Sequence, residues 1–241
     1  MKKQKESDPD YKEFRKAYEE FERDGFRNEL ARQLAEKLKE KCDVGVSDPE
    51  TPLSPEGHRQ ALETGKGLSV HSRLPDVIFV SPYVRTQQTL AGLVKGWPKL
   101  GTVKIILDER IRERNIGLLE IFNDWRILNV LYPEQARLHA RQGKFYYRYP
   151  QGESIVDVQS RNRQWFQTLT RDWAGKRVLV VSHHLTILSI RSLLERWTPE
   201  QFIDVDENHS PKNCSLTVYR GDPKQGTDGK LCLETYNQVF Y

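Results

Sequence analysis

Cysteine is scarce in this chain. Cys42, Cys214 and Cys232 are the three present, scattered and odd in number. They form no Cys-x-x-Cys pair and no zinc-ligand spacing, which argues against a disulfide framework and for a reducing, cytoplasmic setting. Long apolar runs are missing too: no stretch approaches the ~18 residues of a membrane helix, and the basic start MKKQKESD has no apolar core behind it. Neither a membrane span nor a signal peptide is expected. Charge of one sign is not in excess either. Lys and Arg total 38 against 34 Asp and Glu, giving a formal net charge of +4 and a pI of 8.8. That mild basicity suits anionic small molecules, but the dense Lys/Arg patches of a nucleic-acid binder are absent. There is no internal repeat and no low-complexity segment.

What is there reads as one α/β domain over 1–241, long enough to bury roughly 70% of its unfolded surface. Residues 8–42 predict two charged amphipathic helices broken at Asp24-Gly25, one with Tyr11, Phe14, Tyr18 and Phe21 on a stripe, the other with Leu30, Leu34 and Leu38 at i+4. A loop rich in Asp, Pro and Ser follows over 43–55, ending in a Ser54-Pro55 helix start. That helix is expected to run to about Leu68, and another from Val84 to about Val94. DVIFVS (76–81), VKIILD (103–108) and RVLVVS (177–182) are short apolar strands of the kind buried on both faces of a parallel sheet. A helix follows the third, and SLTVYR (215–220) and LCLETYNQV (231–239) predict later strands. This order implies a three-layer sandwich, a mostly parallel sheet flanked by helices. Residues 1–42 add an N-terminal helical elaboration, and 118–150 break the rhythm as an inserted cap.

Two buried strands end alike, VIFVSPYVRT and VLVVSHHLT, each in a serine followed by polar groups at a helix start. Ligands of open α/β sheets bind at such carboxyl edges, where helix N-termini suit phosphate. Arg85 adds a planar fork that holds two oxygens at once, for a phosphate or for a structural carboxylate. His183 either lines that site or is a core histidine with satisfied hydrogen bonds. Glu113, in DERIRERNIG (108–117), is either a general acid facing a bound anion or part of a solvated charged turn. In the cap, RLHARQGKFYYRYP (137–150) offers Arg148 and Tyr147 for substrate choice, or else merely covers the core.

Together SPYVRT, RERNIG, PQGES (150–154) and VVSHH, with LSPEGHRQA (53–61) before them and NCSLT (213–217) after, resemble the histidine phosphatase superfamily, which includes the phosphoglycerate mutases. The resemblance runs from about residue 50 to the C-terminus. It implies a phosphoglycerate mutase-like fold, phosphomonoester hydrolysis or mutase transfer through a phosphohistidine, and no metal or other cofactor. No His/Asp/Glu cluster with ligand spacing is present either. By the same resemblance Arg85 and His183 would bind phosphate, with His183 also stabilising transition-state charge, and Glu113 would protonate the leaving oxygen. His184 stands where the family usually has glycine and is read as structural or cap-contacting. Glu153 and Ser154 fit the start of a helix. The expected partner is a phosphorylated small molecule, with no nucleic acid and no membrane, and a homo-oligomer is left open.

The family's defining Arg-His-Gly, whose histidine is the nucleophile, is absent. The histidines are at 58, 71, 139, 183, 184 and 209, none between arginine and glycine. Two expectations follow. Either an upstream strand of ordinary length carrying that motif belongs before Met1, so that this chain is a truncated form with little activity, or the chain is a pseudophosphatase that binds phosphate or phosphoprotein. Loss of a central strand would leave buried unpaired peptide groups at roughly 1–3 kcal/mol each, which favours the first.

Overall fold

The computed structural model describes residues 8–43, 45–122, 124–226 and 229–241. The basic first seven residues and Asn123 of the cap lie outside them. The chain gathers into two compact units, Met1–Ser47 with Arg114–Val156, and Asp48–Glu113 with Asp157–Tyr241.

In the first unit, α1 (Pro9–Arg23) starts on Asp8, whose carboxylate accepts the Asp10 N–H, with Pro9 in the first turn. Its stripe of Tyr11, Phe14, Tyr18 and Phe21 is fully buried, as the spacing predicts. Helix α2 (Glu29–Cys42) caps on Asn28 and buries Ala31, Leu34, Ala35 and Leu38. Leu30, expected in the apolar row, is instead 46% exposed. A strict i+4 row drifts by about 40° per step on a 3.6-residue helix, and Leu30 falls off the inward stripe. The cap folds as α5 (Leu119–Phe122), α6 (Trp125–Leu131) and α7 (Pro133–Tyr146). It shares one core with α1 and α2, so the two elaborations read from the sequence are one body. Tyr11 donates its hydroxyl to Asp124, and Asn129 Nδ2 donates to the Tyr18 hydroxyl at 3.1 Å, pairing polar groups that burial would otherwise orphan.

In the second unit, β1 (Val77–Val80), β2 (Lys104–Leu107) and β3 (Val178–Val181) form a parallel sheet in the order β2-β1-β3. Strand alternation sorts its side chains into two cores. Ile78, Val80 and Val181 pack with Leu68 of α3 (Pro55–His71) and with Leu90 and Leu93 of α4 (Val84–Gly96). On the other face Val77, Phe79 and Val180 pack with Trp165 of α8 (Ile155–Asp172) and Ile190 of α9 (His184–Glu195). This is the expected three-layer α/β sandwich. Helix α10 (Pro199–Asn208), not anticipated from the sequence, opens with a Thr198/Gln201 capping box. An antiparallel hairpin, β4 (Leu216–Asp222) with β5 (Lys230–Gln238), forms a separate sheet.

Burial on both faces holds for β1 alone. VKIILD is the sheet edge, with Ile105 and Leu107 of β2 46% and 56% exposed. β3 is half-buried, and among the described residues it is hydrogen-bonded to a strand on one side only, that of β1.

Helices α3 and α4 pack almost backbone to backbone. A Cβ built on Gly65 would stand 2.4 Å from the Leu93 carbonyl oxygen. Gly65→Ala gains up to about 1 kcal/mol of helix propensity, yet the overlap with rigid backbone outweighs it. A net loss of about 1–3 kcal/mol is expected, read as a lower urea midpoint with an unchanged slope.

Candidate functional site

The second unit holds Arg85, Glu113 and His183, each just beyond the end of a different strand. β1 delivers Ser81, which is fully buried, then Tyr83 and Arg85 at the start of α4. Thr86 Oγ1 donates to the Ser81 and Tyr83 carbonyls at 2.9 and 2.7 Å, fixing this turn. β3 delivers Ser182 and His183, the latter as N-cap of α9. Parallel pairing lays the two strand ends side by side, and His183 Nε2 lies 2.7 Å from Ser81 Oγ. The His183 ring also meets Tyr83 edge-on at 4.9 Å, and the Arg85 guanidinium lies over Tyr83 at 4.8 Å.

Glu113 follows the turn after β2. Arg161 of α8 anchors that turn, donating from Nη1 to the Arg110 carbonyl at 2.8 Å and from Nη2 to the Glu113 carbonyl at 3.1 Å. Ser182 Oγ donates to the Ile111 carbonyl at 2.8 Å, and Thr186 Oγ1 to that of Arg112 at 2.5 Å. Glu113 Oε2 then accepts the Leu185 N–H in the first turn of α9 at 3.3 Å, where the helix dipole favours a carboxylate. The Tyr83 phenol registers the convergence. Burial, then the charge of Asp48, push it up to about 12, with Glu113 adding to the rise and Arg112 and Arg85 opposing it. Arg85 and His183 thus meet at the Tyr83 ring, and Glu113 reaches the first turn of the helix that His183 caps.

Arg85 is not free. Its Nη1 and Nη2 donate to the two carboxylate oxygens of Asp48 at 3.0 and 3.1 Å, and Nη1 also donates to the Asp48 carbonyl at 2.6 Å. A carboxylate, one of the two partners left open by the sequence, thus fills the fork. Arg110 is likewise spent on structure, held by Asp108 and Thr168. His184 pairs through Nε2 with Asp206 at 2.9 Å, tying α9 to α10, in keeping with a structural part.

The cap residues belong to the first unit. Arg148 is exposed, whereas Tyr147 is 2% exposed, packed edge-on against His139 and Tyr149 and hydrogen-bonded to Gln135 at 3.1 Å. Tyr147 therefore acts as core, and the aromatic face expected there is spent on packing. Glu153 exchanges hydrogen bonds with the Asn115 backbone at 2.9 and 2.8 Å, a loop clasp. Sequence reasoning missed Asp48, Ser81, Tyr83 and Arg161 as parts of the site. Ser81 and Tyr83 stand inside the quoted SPYVRT, but nothing local marks Asp48, 37 residues from its arginine. Among the described residues, no three metal-ligating side chains gather, and no helix is long and apolar enough to cross a membrane.

A model of the histidine phosphatase superfamily, branch 1, matches residues 35–230. The chain belongs to this superfamily. The match begins in α2, earlier than the residue 50 expected from motifs alone. The phosphoglycerate mutase-like protein AT74H of Arabidopsis thaliana is 29% identical over 191 residues, covering 71% of this chain and 64% of the relative. The chain thus spans less than two thirds of that plant protein. A 2,3-bisphosphoglycerate-dependent phosphoglycerate mutase of Rhizobium rhizogenes is 31% identical over 164 residues, covering 66% of this chain and 74% of the relative. Among solved structures, a mycobacterial glucosyl-3-phosphoglycerate phosphatase aligns with a TM-score of 0.60 at 24% identity, covering 79% of this chain and 88% of that one. YhfR of Bacillus stearothermophilus aligns at 0.63 and 20%, covering 84% and 91%. These two share the histidine phosphatase fold.

Burial, then Arg85 and Arg161, lower the His183 imidazole to about 3, so it is neutral at physiological pH. Unfolded, it titrates near its ordinary 6.5. Between these values the unfolded chain binds the extra proton, so stability is full above pH 6.5 and falls as pH falls. The loss approaches about 1.4 kcal/mol per pH unit. His183→Gln is expected to lack this component, giving a shallower decline between pH 6 and 4 in urea unfolding; an unchanged slope would contradict the burial argument.

Proposed function

We propose that this chain handles phosphomonoesters, and that its parent activity is hydrolysis, or mutase transfer, through a phosphohistidine. The observation that supports this best is the contact chain Arg85–Tyr83–His183–Ser81 at the carboxyl edge of a parallel sheet, with Glu113 beside it. Relatives and structural neighbours carry the names phosphoglycerate mutase and glucosyl-3-phosphoglycerate phosphatase, which makes a phosphorylated small molecule the substrate class.

In this scheme the Arg85 fork takes two phosphoryl oxygens. Neutral His183 turns its Nε2–H from Ser81 to a third and stabilises charge in the transition state. A nucleophilic imidazole attacks phosphorus in line. The P–O bond to the leaving group breaks, and the Glu113 proton passes to that oxygen. Water then attacks the phosphohistidine, giving its proton to Glu113 as the P–N bond breaks. Of the two cap residues read as choosing substrate, Arg148 is exposed and Tyr147 is buried.

The nucleophile is the part this chain does not supply in the family's form, since no histidine lies in Arg-His-Gly. In an extended form, a strand carrying it is proposed to pair with β3, whose second side is unladdered among the described residues. The 241-residue chain is accordingly proposed to bind phosphate and turn over little. The absent motif also favours a second function, a non-catalytic phosphate- or phosphoprotein-binding module.

Calorimetry with inorganic phosphate and an aryl phosphate assay test both. Arg85→Ala and His183→Ala should each weaken phosphate by about 10- to 100-fold, the worth of a hydrogen bond to a charged group. Turnover should appear in a form extended N-terminally by an apolar strand ending in Arg-His-Gly, and vanish with Arg85→Ala. Binding without turnover in that form would favour the module; binding indifferent to both substitutions would end both proposals.

A further inference from the structure

Resting on the reading that Arg85 binds phosphate, we propose that Asp48 is an internal stand-in for that phosphate, a carboxylate on a short strap that occupies the arginine fork until an anionic ligand displaces it. The contact has the form the ligand would take. Two oxygens of one anion face Nη1 and Nη2 at 3.0 and 3.1 Å, the fork-to-fork geometry that serves carboxylate and phosphate alike. Asp48 is the partner that fills Arg85's fork among the described residues.

The strap is built to hold this pose and to leave it. Asp48 opens a single 3-10 turn, Asp48–Glu50, which buries none of its residues. Its far end is pinned, because the Leu53 N–H donates to Gln88 Oε1 of α4 at 2.8 Å and Ser54 caps α3. Pro49 and Pro52 fix the backbone φ at two points of the intervening residues. The backbone carbonyl of Asp48 also accepts from Arg85, at 2.6 Å, so releasing the fork moves the strap and not a rotamer alone. The side chains of Arg85 and Asp48 are 22% and 32% exposed, which gives a ligand access to the pair from water.

Charge decides the exchange. Arg85, Arg112 and Arg161 act on Tyr83 or His183, set against Asp48 and Glu113. A phosphate dianion offers this surroundings one more negative charge than the carboxylate it replaces. The strap therefore acts as a threshold: oxyanions with two charges displace it, and apparent affinity falls by the fraction of time the fork is open.

Inorganic phosphate titrated calorimetrically into wild type, Asp48→Asn and Arg85→Ala, at fixed pH and ionic strength, tests this. Asp48→Asn is expected to bind about tenfold more tightly than wild type, as for a fork open one part in ten, while Arg85→Ala binds about 10- to 100-fold more weakly. Equal or weaker binding by Asp48→Asn, with binding still weakened in Arg85→Ala, overturns the stand-in and leaves Arg85 as the phosphate ligand. Phosphate binding unaffected by Arg85→Ala overturns both. A measurement on the wild type needs no variant to fold: the Thr51 N–H, which donates to the Asp48 carbonyl at 3.3 Å, should exchange faster at saturating phosphate. Unchanged or slower exchange overturns the strap.

Discussion

The parallel register of β1 and β3 is the constraint on which the site depends. Val80 stands beside Val181, and the Ser81 N–H donates to the Val181 carbonyl at 3.0 Å, so the two chains leave the sheet together. Only then does His183 reach Ser81 Oγ. A slip of one residue would turn every side chain of a strand to the opposite face. Both faces are apolar cores here, so a slip would exchange Phe79, seated edge-on between Trp165 and Trp173, for a smaller neighbour. Packing two unlike cores against one strand thus specifies the position of the His183 imidazole beyond the neighbouring strand's end.

Electrostatics then sets what that imidazole is. His183 is buried and lies within reach of two guanidinium charges, so it holds no proton beyond its neutral form. Arg161 grips two carbonyl oxygens while its charge still disfavours a proton on His183. An arriving dianion would reverse that balance, because a negative partner favours the charged imidazolium. At rest the site therefore presents a neutral imidazole beside the Ser81 hydroxyl.

Much of this was legible in the sequence because burial leaves a periodic mark. Four apolar residues ending in serine and a titratable group sufficed to locate both strand ends, and the family motifs supplied Glu113. What periodicity does not carry is tertiary partnership. VKIILD is as apolar as VIFV, yet lies at the sheet edge, since strand order is not written in a strand's own composition. Tyr147 and Tyr146 are neighbours in a basic, aromatic stretch; one is buried and the other 56% exposed, decided by the turn that follows α7. Asp48 lies in a loop whose composition announces only turns. Its role comes from a guanidinium 37 residues away.

The two outer edges of the sheet differ in composition and in burial. β2 begins with Lys104, whose ammonium lies over the Trp173 ring, and an edge lysine is a common device against unwanted strand pairing. β3 has no such guard: Val178 to Val181 are apolar throughout, half-buried up to the buried Val181, and laddered to β1 alone among the described residues. β4 is its counterpart, paired only with β5 there and half-buried from Leu216 to Tyr219. Val178 to Val180 stay partly exposed, and apolar surface left wet costs about 25 cal/mol per Å². An unguarded edge of this kind has the composition of an interior strand, so composition alone does not distinguish the two places in a sheet.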